Sequence, residues 1–151
     1  MERRIGLWID RREALVVSLL PGGESIEQIE SGIFGTMESQ RGVPGDESHQ
    51  RGLELQLSHF YDRVVDQVRR ADLLVVLGPG AARNQFAARF RERYPSFAAL
   101  SVEAAPRMTE PQLIGRVRRR ISALADALAA TRTAPIERPQ EFTSEYSPAG
   151  E

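Results

Sequence analysis

The spacing of hydrophobic positions changes along this chain and divides it into predicted strands and helices. Residues 4–10 and 14–20 are short apolar runs separated by a polar turn, which is typical of a β-hairpin. In residues 24–33 apolar and polar positions alternate only in part, which predicts a more exposed third strand. The unbroken apolar run at 73–77 predicts a central strand covered on both faces, and residues 98–103 predict a fifth strand.

Three other segments have the three- and four-residue apolar spacing of amphipathic helices. The first helix is predicted from an apolar stripe formed by Leu57, Phe60, Tyr61, Val64, Val65 and Val68. The second should bury Phe86 and Phe90 and end before Pro95. The third should begin at Thr109, which can form a capping box with Gln112. Its predicted inner face consists of Ile114, Val117, Ile121, Leu124 and Leu128.

The remaining segments are polar and complete the predicted domain. Residues 35–52 lack periodicity and are expected to form a long loop. Residues 132–151 are expected to form a disordered acidic tail behind a folded domain at 1–131. The order strand, strand, strand, helix, strand, helix, strand, helix predicts an α/β fold of ribonuclease H-like topology. It would contain a mixed five-stranded sheet packed with three helices.

Composition narrows the expected chemistry. The 151 residues contain no cysteine and only two histidines, so we expect no disulfide, no thiolate catalysis, no cofactor and no metal site. No apolar stretch approaches the length needed to cross a bilayer, and a cytoplasmic location is the expectation.

Arginine provides every basic residue of the chain, because lysine is absent. Guanidinium groups bind phosphates through paired hydrogen bonds, although arginine-only usage is also expected from a GC-rich genome. The candidate RNA-binding or phosphate-binding residues are Arg41, Arg51, Arg116, Arg118, Arg119 and Arg120. The first two fall in the predicted loop and the other four on the third helix.

A glycine-rich turn, Gly78-Pro79-Gly80, follows the central strand. The helix after it leaves its first backbone N–H groups without helical partners, so Gly78 and Gly80 are candidates for an anion-binding turn. The alternative is that the two glycines serve only tight packing, since the spacing matches no dinucleotide or P-loop fingerprint.

A metal-dependent nuclease or other hydrolase is an alternative function for a ribonuclease H-like fold. Such a site needs carboxylates gathered around metal ions. Asp10 could supply one, and Glu54, Asp62 or Asp66 a second, but the fourth strand ends without an acidic residue. Asp10 also suits a structural role in the hairpin turn.

Two sequence blocks carry a resemblance to a known family. The first is the WIDRREA segment at 8–14, and the second is Leu77-Gly78-Pro79-Gly80. Together with the long loop and the arginine-rich last helix, they resemble the central domain of eukaryotic and archaeal class I release factors and of Pelota. Small bacterial proteins described as translational machinery proteins show the same likeness, which spans roughly residues 4–130.

The resemblance implies a role in translation and contact with the ribosome, ribosomal RNA or tRNA. Release factors of this family carry a Gly-Gly-Gln tripeptide in the long loop, and this chain lacks it. Pelota also lacks it, so the resemblance implies binding without peptide release and no catalytic residue. A protein interaction module that pairs through a sheet edge or the acidic tail, and so a homo-oligomer, is the remaining alternative.

Overall fold

The structure is a computed structural model that describes residues 2–33 and 47–137. Within these residues the strands are β1 (Arg4–Ile9), β2 (Glu13–Leu20), β3 (Gly23–Glu30), β4 (Leu73–Gly78) and β5 (Leu100–Ala104). The helices in the same ranges are α1 (Glu47–Val68), α2 (Ala82–Arg93) and α3 (Glu110–Glu137). None of these helices is long and apolar enough to span a membrane.

The strands form one five-stranded sheet in the order β3-β2-β1-β4-β5. β1 pairs antiparallel with β2, and β2 pairs antiparallel with β3. β4 lies parallel to both β1 and β5, with Gly6 opposite Val75 and Val75 opposite Ser101. This order and these directions confirm the predicted α/β fold of ribonuclease H-like topology.

The helices divide between the two faces of the sheet. α1 and α2 cover one face, where Leu7 and Leu74 pack with Phe60, Phe86 and Phe90. α3 covers the other face, where its residues Leu113 and Val117 pack with Trp8, Val17 and Val75 of the sheet. β4 is buried along its whole length because it receives helices from both sides. The apolar stripes predicted from the sequence are therefore confirmed as core-facing.

Gly6 brings α3 unusually close to β1. A methyl group added at Gly6 would lie 2.4 Å and 2.5 Å from the two methyl carbons of Val117. Real Cβ atoms essentially never approach other heavy atoms that closely. Because Gly6 has no side chain, Val117 fits directly against β1, and this contact determines how closely α3 approaches the sheet.

The N-terminus of α3 has the capping box that the sequence predicts. The backbone N–H of Gln112 donates to Thr109 Oγ1 at 3.3 Å, and the backbone N–H of Thr109 donates to Gln112 Oε1 at 3.0 Å. These reciprocal bonds satisfy donors that the first helical turn leaves free.

Two predicted boundaries differ from the structure. α1 begins at Glu47, so the prediction of loop structure up to residue 52 is wrong for residues 47–52. The polar composition and Gly52 favour a loop locally, but Leu53 and Leu57 are buried and extend the packed face of α1 to this end. α3 continues to Glu137, past the predicted end of the domain at 131. Residues 34–46 and 138–151 lie outside the described residues, so the loop and the tail stay predictions there.

Candidate nucleic-acid interface

Two arginines of α3 converge on one carboxylate of β5. Arg116 Nε lies 3.6 Å and Arg120 Nε 3.3 Å from the same oxygen, Oε1 of Glu103. Arg116 Nη2 also donates to the carbonyl oxygen of Ala104 at 3.4 Å. Neither Glu103 Oε1 nor Arg120 Nε has a well-aligned hydrogen bond, although both atoms are buried. Two positive charges therefore share one negative charge, and most guanidinium donors remain available.

Arg119 extends the same surface, whereas Arg118 does not. One residue of an α-helix turns about 100°, so Arg116, Arg119 and Arg120 share one side of α3. Arg119 is exposed and makes no ion pair with a described residue. Arg118 lies on the opposite side of the helix, where its Nη2 donates to Glu24 of β3. Arg116, Arg119 and Arg120 together form the arginine surface.

Of the two arginines predicted in the loop, the structure describes one, and that one does not join this surface. Arg41 lies outside the described residues. Arg51 is exposed on α1, not in a loop, and α1 packs on the face of the sheet opposite α3. The structure therefore separates Arg51 from the arginine surface by the thickness of the sheet.

The glycine turn after β4 has a packing role. Gly78 has φ 153°, and a Cβ there would lie 2.1 Å from the carbonyl oxygen of Ile9. Gly80 has φ 62°, which glycine adopts readily. Arg83 Nη1 donates to the carbonyl oxygens of both Gly78 and Gly80, at 2.9 Å and 2.7 Å. Close packing against Ile9 accounts for Gly78 and the positive φ accounts for Gly80, and anion binding at this turn stays a prediction.

Asp10 organises the β1–β2 turn. Its Oδ1 accepts the backbone N–H groups of Arg12 and Glu13, at 2.8 Å and 2.9 Å. Its Oδ2 lies 3.2 Å from Nη2 of Arg107, which follows β5. These bonds show the structural role in the hairpin turn that the sequence suggested.

Arg107 is a residue that the sequence reasoning missed. Its guanidinium lies 4.8 Å from the ring centre of Trp8 and 2.6 Å from Glu13 Oε2. The hydrogen bond to Glu13 is the largest of the causes that raise the pKa of Arg107. Arg107 therefore ties the β5–α3 connection to the β1–β2 turn. The predicted topology was the signal that could have indicated this contact, because β1 and β5 run parallel and end at the same side of the sheet.

A small cleft between α1 and α2 was also missed. It has a volume of about 230 Å³, and Tyr61, Gln85 and Arg89 contribute to its lining. The Tyr61 hydroxyl donates to Gln85 Oε1 at 2.8 Å, and Arg89 Nη2 donates to Ser58 Oγ at 2.6 Å. Burial is the main cause that raises the pKa of Tyr61, while Arg11 and Arg89 lower it.

Two of the acidic residues considered for a nuclease site are paired with arginines. Asp62 accepts a hydrogen bond from Arg89 at 3.1 Å, and Asp66 lies 3.6 Å from Arg93. Across residues 2–33 and 47–137, no group of three or more His, Asp or Glu side chains is placed to hold a metal ion. The structure thus offers no support for the nuclease alternative among the described residues.

These features define a ribonuclease H-like α/β domain with a basic surface beside β5. No protein-family model and no curated protein matches the chain. Its fold is similar to that of Pelota from Archaeoglobus fulgidus, with 19% identity and a TM-score of 0.57 over 91% of this chain and 38% of that one. Pelota from Thermoplasma acidophilum has 18% identity and a TM-score of 0.51, over 88% and 42% of the two chains.

A third similar structure is the archaeal translation termination factor aRF1. It has 14% identity and a TM-score of 0.49, over 87% of this chain and 39% of that one. This chain therefore spans about two fifths of the length of the solved structures it resembles. The Pelota structures confirm, at the level of the fold, the likeness predicted from the sequence.

Proposed function

We propose that this protein is a non-catalytic, translation-related factor that docks on ribosomal RNA or tRNA through the arginine surface. The observation that carries the proposal is the convergence of Arg116 and Arg120 on the single carboxylate of Glu103, with the exposed Arg119 on the same side of α3. The Pelota-like fold supports a partner from the translation apparatus, as the sequence resemblance implies.

The chemistry of the arginine surface favours phosphate as the contacted group. A guanidinium presents five N–H donors in a plane and matches the geometry of a phosphate oxygen pair. Arg116 and Arg120 are held near the sheet by Glu103, while Arg119 projects from the exposed side of α3. This surface carries a net positive charge on an exposed side of α3, which suits contact with a nucleic-acid backbone.

A hydrolytic role is less well supported by the contacts. The carboxylate of Asp10 is engaged by two backbone N–H groups and by Arg107. β4 ends at Gly78 and is followed by Pro79-Gly80, so the strand beside β1 supplies no acid at the edge where a nuclease site would need one.

Ribosome co-sedimentation at several salt concentrations tests the proposal. The purified chain is compared with a variant in which Arg116, Arg119 and Arg120 are replaced by Gln. Phosphate contacts release counterions, so affinity should fall steeply with salt. Loss of three contacts should reduce the slope of log affinity against log salt by about 2 to 3.

A charge-matched variant separates a specific surface from general basicity. Arg69, Arg70 and Arg91 are exposed and lie on or just after α1 and α2, not on α3. Replacing these three by Gln removes the same charge and should leave binding nearly unchanged. Equal loss in both variants, or no binding by the unaltered chain at any salt, would refute docking through the arginine surface. Circular dichroism should show native helix content in both variants.

A further inference from the structure

Arg107 lies near the arginine surface, but its guanidinium has different neighbours. It follows β5 along the chain, three positions after Ala104. Three residues of chain span at most about 11 Å. Arg116 contacts the carbonyl oxygen of the same Ala104 at 3.4 Å. Arg107 is therefore within reach of a nucleic acid that contacts Arg116.

The charge of Arg107 is already balanced by carboxylates. Its Nη2 lies 2.6 Å from Glu13 Oε2 and 3.2 Å from Asp10 Oδ2. A phosphate would have to compete with both carboxylates for this guanidinium, and both would repel it. Arg107 is therefore a poor phosphate ligand, in contrast to Arg119, which makes no ion pair with a described residue.

One face of the Arg107 guanidinium rests on an aromatic ring. Its central carbon lies 4.8 Å from the ring centre of Trp8. Trp8 is buried, and its Nε1 donates to the carbonyl oxygen of Pro106 at 3.1 Å, so the ring itself is held in place. The contact with the electron-rich ring and the two ion pairs together restrict the orientation of the guanidinium.

The other side of Arg107 is open to solvent. Its side chain is 55% exposed, and because Trp8 covers one face, the exposed part lies on the side away from the ring. A guanidinium is flat and delocalised, and unpaired RNA bases stack on such planes as well as on aromatic rings. A plane that is already oriented loses little side-chain entropy when a base stacks on it.

We propose that Arg107 is a stacking platform for an unpaired nucleobase of the RNA whose phosphates the arginine surface contacts. This inference rests on the proposed function, because the arginine surface supplies the backbone contacts that bring a base to Arg107. Stacking needs no base-specific hydrogen bond, since every base has a planar face. The interface should therefore prefer single-stranded RNA, or unpaired bases of a folded RNA, over a continuous duplex.

Two labelled oligonucleotides of equal length separate base contacts from phosphate contacts. One is an oligouridylate, and the other has the same sugar-phosphate backbone without bases. In fluorescence anisotropy titrations the full chain should bind the oligouridylate about fivefold or more tightly than the abasic oligonucleotide, which is the lower end of what one stacked base contributes.

Arg107→Lys tests whether the planar group causes this preference. Lysine keeps a positive charge beside Asp10 and Glu13 but has no flat face. The variant should lose most of the preference for the oligouridylate. Its affinity for the abasic oligonucleotide, and the slope of log affinity against log salt, should stay unchanged because no phosphate contact is lost.

Two further variants distinguish failure of the stacking inference from failure of the proposed function. Arg91→Lys makes the same exchange at an exposed arginine of α2 and should change neither affinity. Replacing Arg116, Arg119 and Arg120 by Gln should weaken binding of both oligonucleotides alike, because phosphate contacts do not depend on bases.

The outcomes separate as follows from these contacts. If the unaltered chain binds neither oligonucleotide, or the triple Gln variant binds as tightly as the unaltered chain, the proposed function fails and the stacking inference fails with it. If the triple variant is weakened as expected, but Arg107→Lys weakens binding of both oligonucleotides equally or of neither, only the stacking inference is overturned.

The fluorescence of Trp8 provides a test that needs no variant. Trp8 is the single tryptophan of the chain, and Arg107 covers its ring. A base stacked on Arg107 should change the emission of Trp8, so a saturating amount of oligouridylate should alter the emission and a saturating amount of the abasic oligonucleotide should not. Equal changes with both oligonucleotides, or no change with either, would overturn the assignment of Arg107.

Discussion

Replacing Gly6 by alanine should destabilise the protein through one contact. The new methyl group would lie 2.4 Å and 2.5 Å from the two methyl carbons of Val117 and 3.0 Å from its Cβ. Val117 is fully buried, and rotation about its β-branched χ1 bond mainly exchanges one clashing methyl for the other. α3 must therefore move away from β1.

The expected magnitude follows from opposing effects. Overpacking of this kind costs about 1 to 3 kcal/mol in the free energy of unfolding. Alanine also restricts the unfolded chain relative to glycine, which offsets about 0.4 to 1 kcal/mol. Gly6→Ala should therefore lower stability by about 1 to 2 kcal/mol.

A double-mutant cycle assigns the cost to the contact with Val117. Val117→Ala alone removes two buried methyl groups and should cost about 2 to 3 kcal/mol, including the cavity it leaves. In the double variant the methyl of residue 6 enters that cavity, so the pair should cost much less than the two single changes together. The coupling should reach about 2 kcal/mol.

Urea unfolding monitored by far-ultraviolet circular dichroism gives these free energies, provided that the transitions are two-state. Additive losses in the double variant would refute the contact between Gly6 and Val117 as the origin of the cost. A Gly6→Ala variant as stable as the unaltered chain would refute the close approach of α3 itself.

Three further predictions concern single side chains. Burial raises the pKa of Tyr61 above the ordinary tyrosine value of 10.0, so the folded state keeps the hydroxyl proton to a higher pH than the unfolded state does. The free energy of unfolding should therefore fall as pH rises above 10. Tyr61→Phe should flatten that decline in alkaline unfolding curves; an unchanged decline would assign it to other groups. Thr109→Ala should cost about 1 kcal/mol through loss of the capping box in the same urea assay, and no loss would contradict the reciprocal bonds with Gln112. Arg107→Gln should lower the free energy of unfolding by about 1 kcal/mol or less, because the Arg107 side chain is 55% exposed. This loss should be smaller in high salt, which screens exposed ion pairs. A loss that does not depend on salt would instead indicate the contact with Trp8.

Local patterns predicted most of the fold correctly. The apolar run of β4 and the stripe of α1 are properties of a few neighbouring residues, and the spacing determines the buried face. The start of α1 was misplaced because Gly52 is unfavourable within a helix, and the burial of Leu53 and Leu57 outweighs that preference. Packing against the sheet is a tertiary effect that local composition does not contain.

The candidate site was predictable in part. The side of α3 that each arginine occupies follows from its position, and the separation of Arg118 from Arg116 and Arg120 could have been deduced from the helical repeat alone. The contact between Asp10 and Arg107 could not, because 97 positions separate the two residues along the chain. Only the parallel pairing of β1 and β5 with β4 brings their ends to the same edge.

The arginine surface depends on the position of α3, and Gly6 sets that position. Arg116 and Arg120 reach Glu103 at 3.6 Å and 3.3 Å, distances near the limit for direct ion pairs. A shift of α3 by a few tenths of an ångström would change both contacts, although Gly6 lies on β1 and Glu103 on β5. Gly6→Ala should therefore alter ribosome binding more than its modest loss of stability suggests, when measured where the variant is fully folded. Unchanged binding would show that Arg119, which makes no ion pair with a described residue, contributes most of the docking affinity.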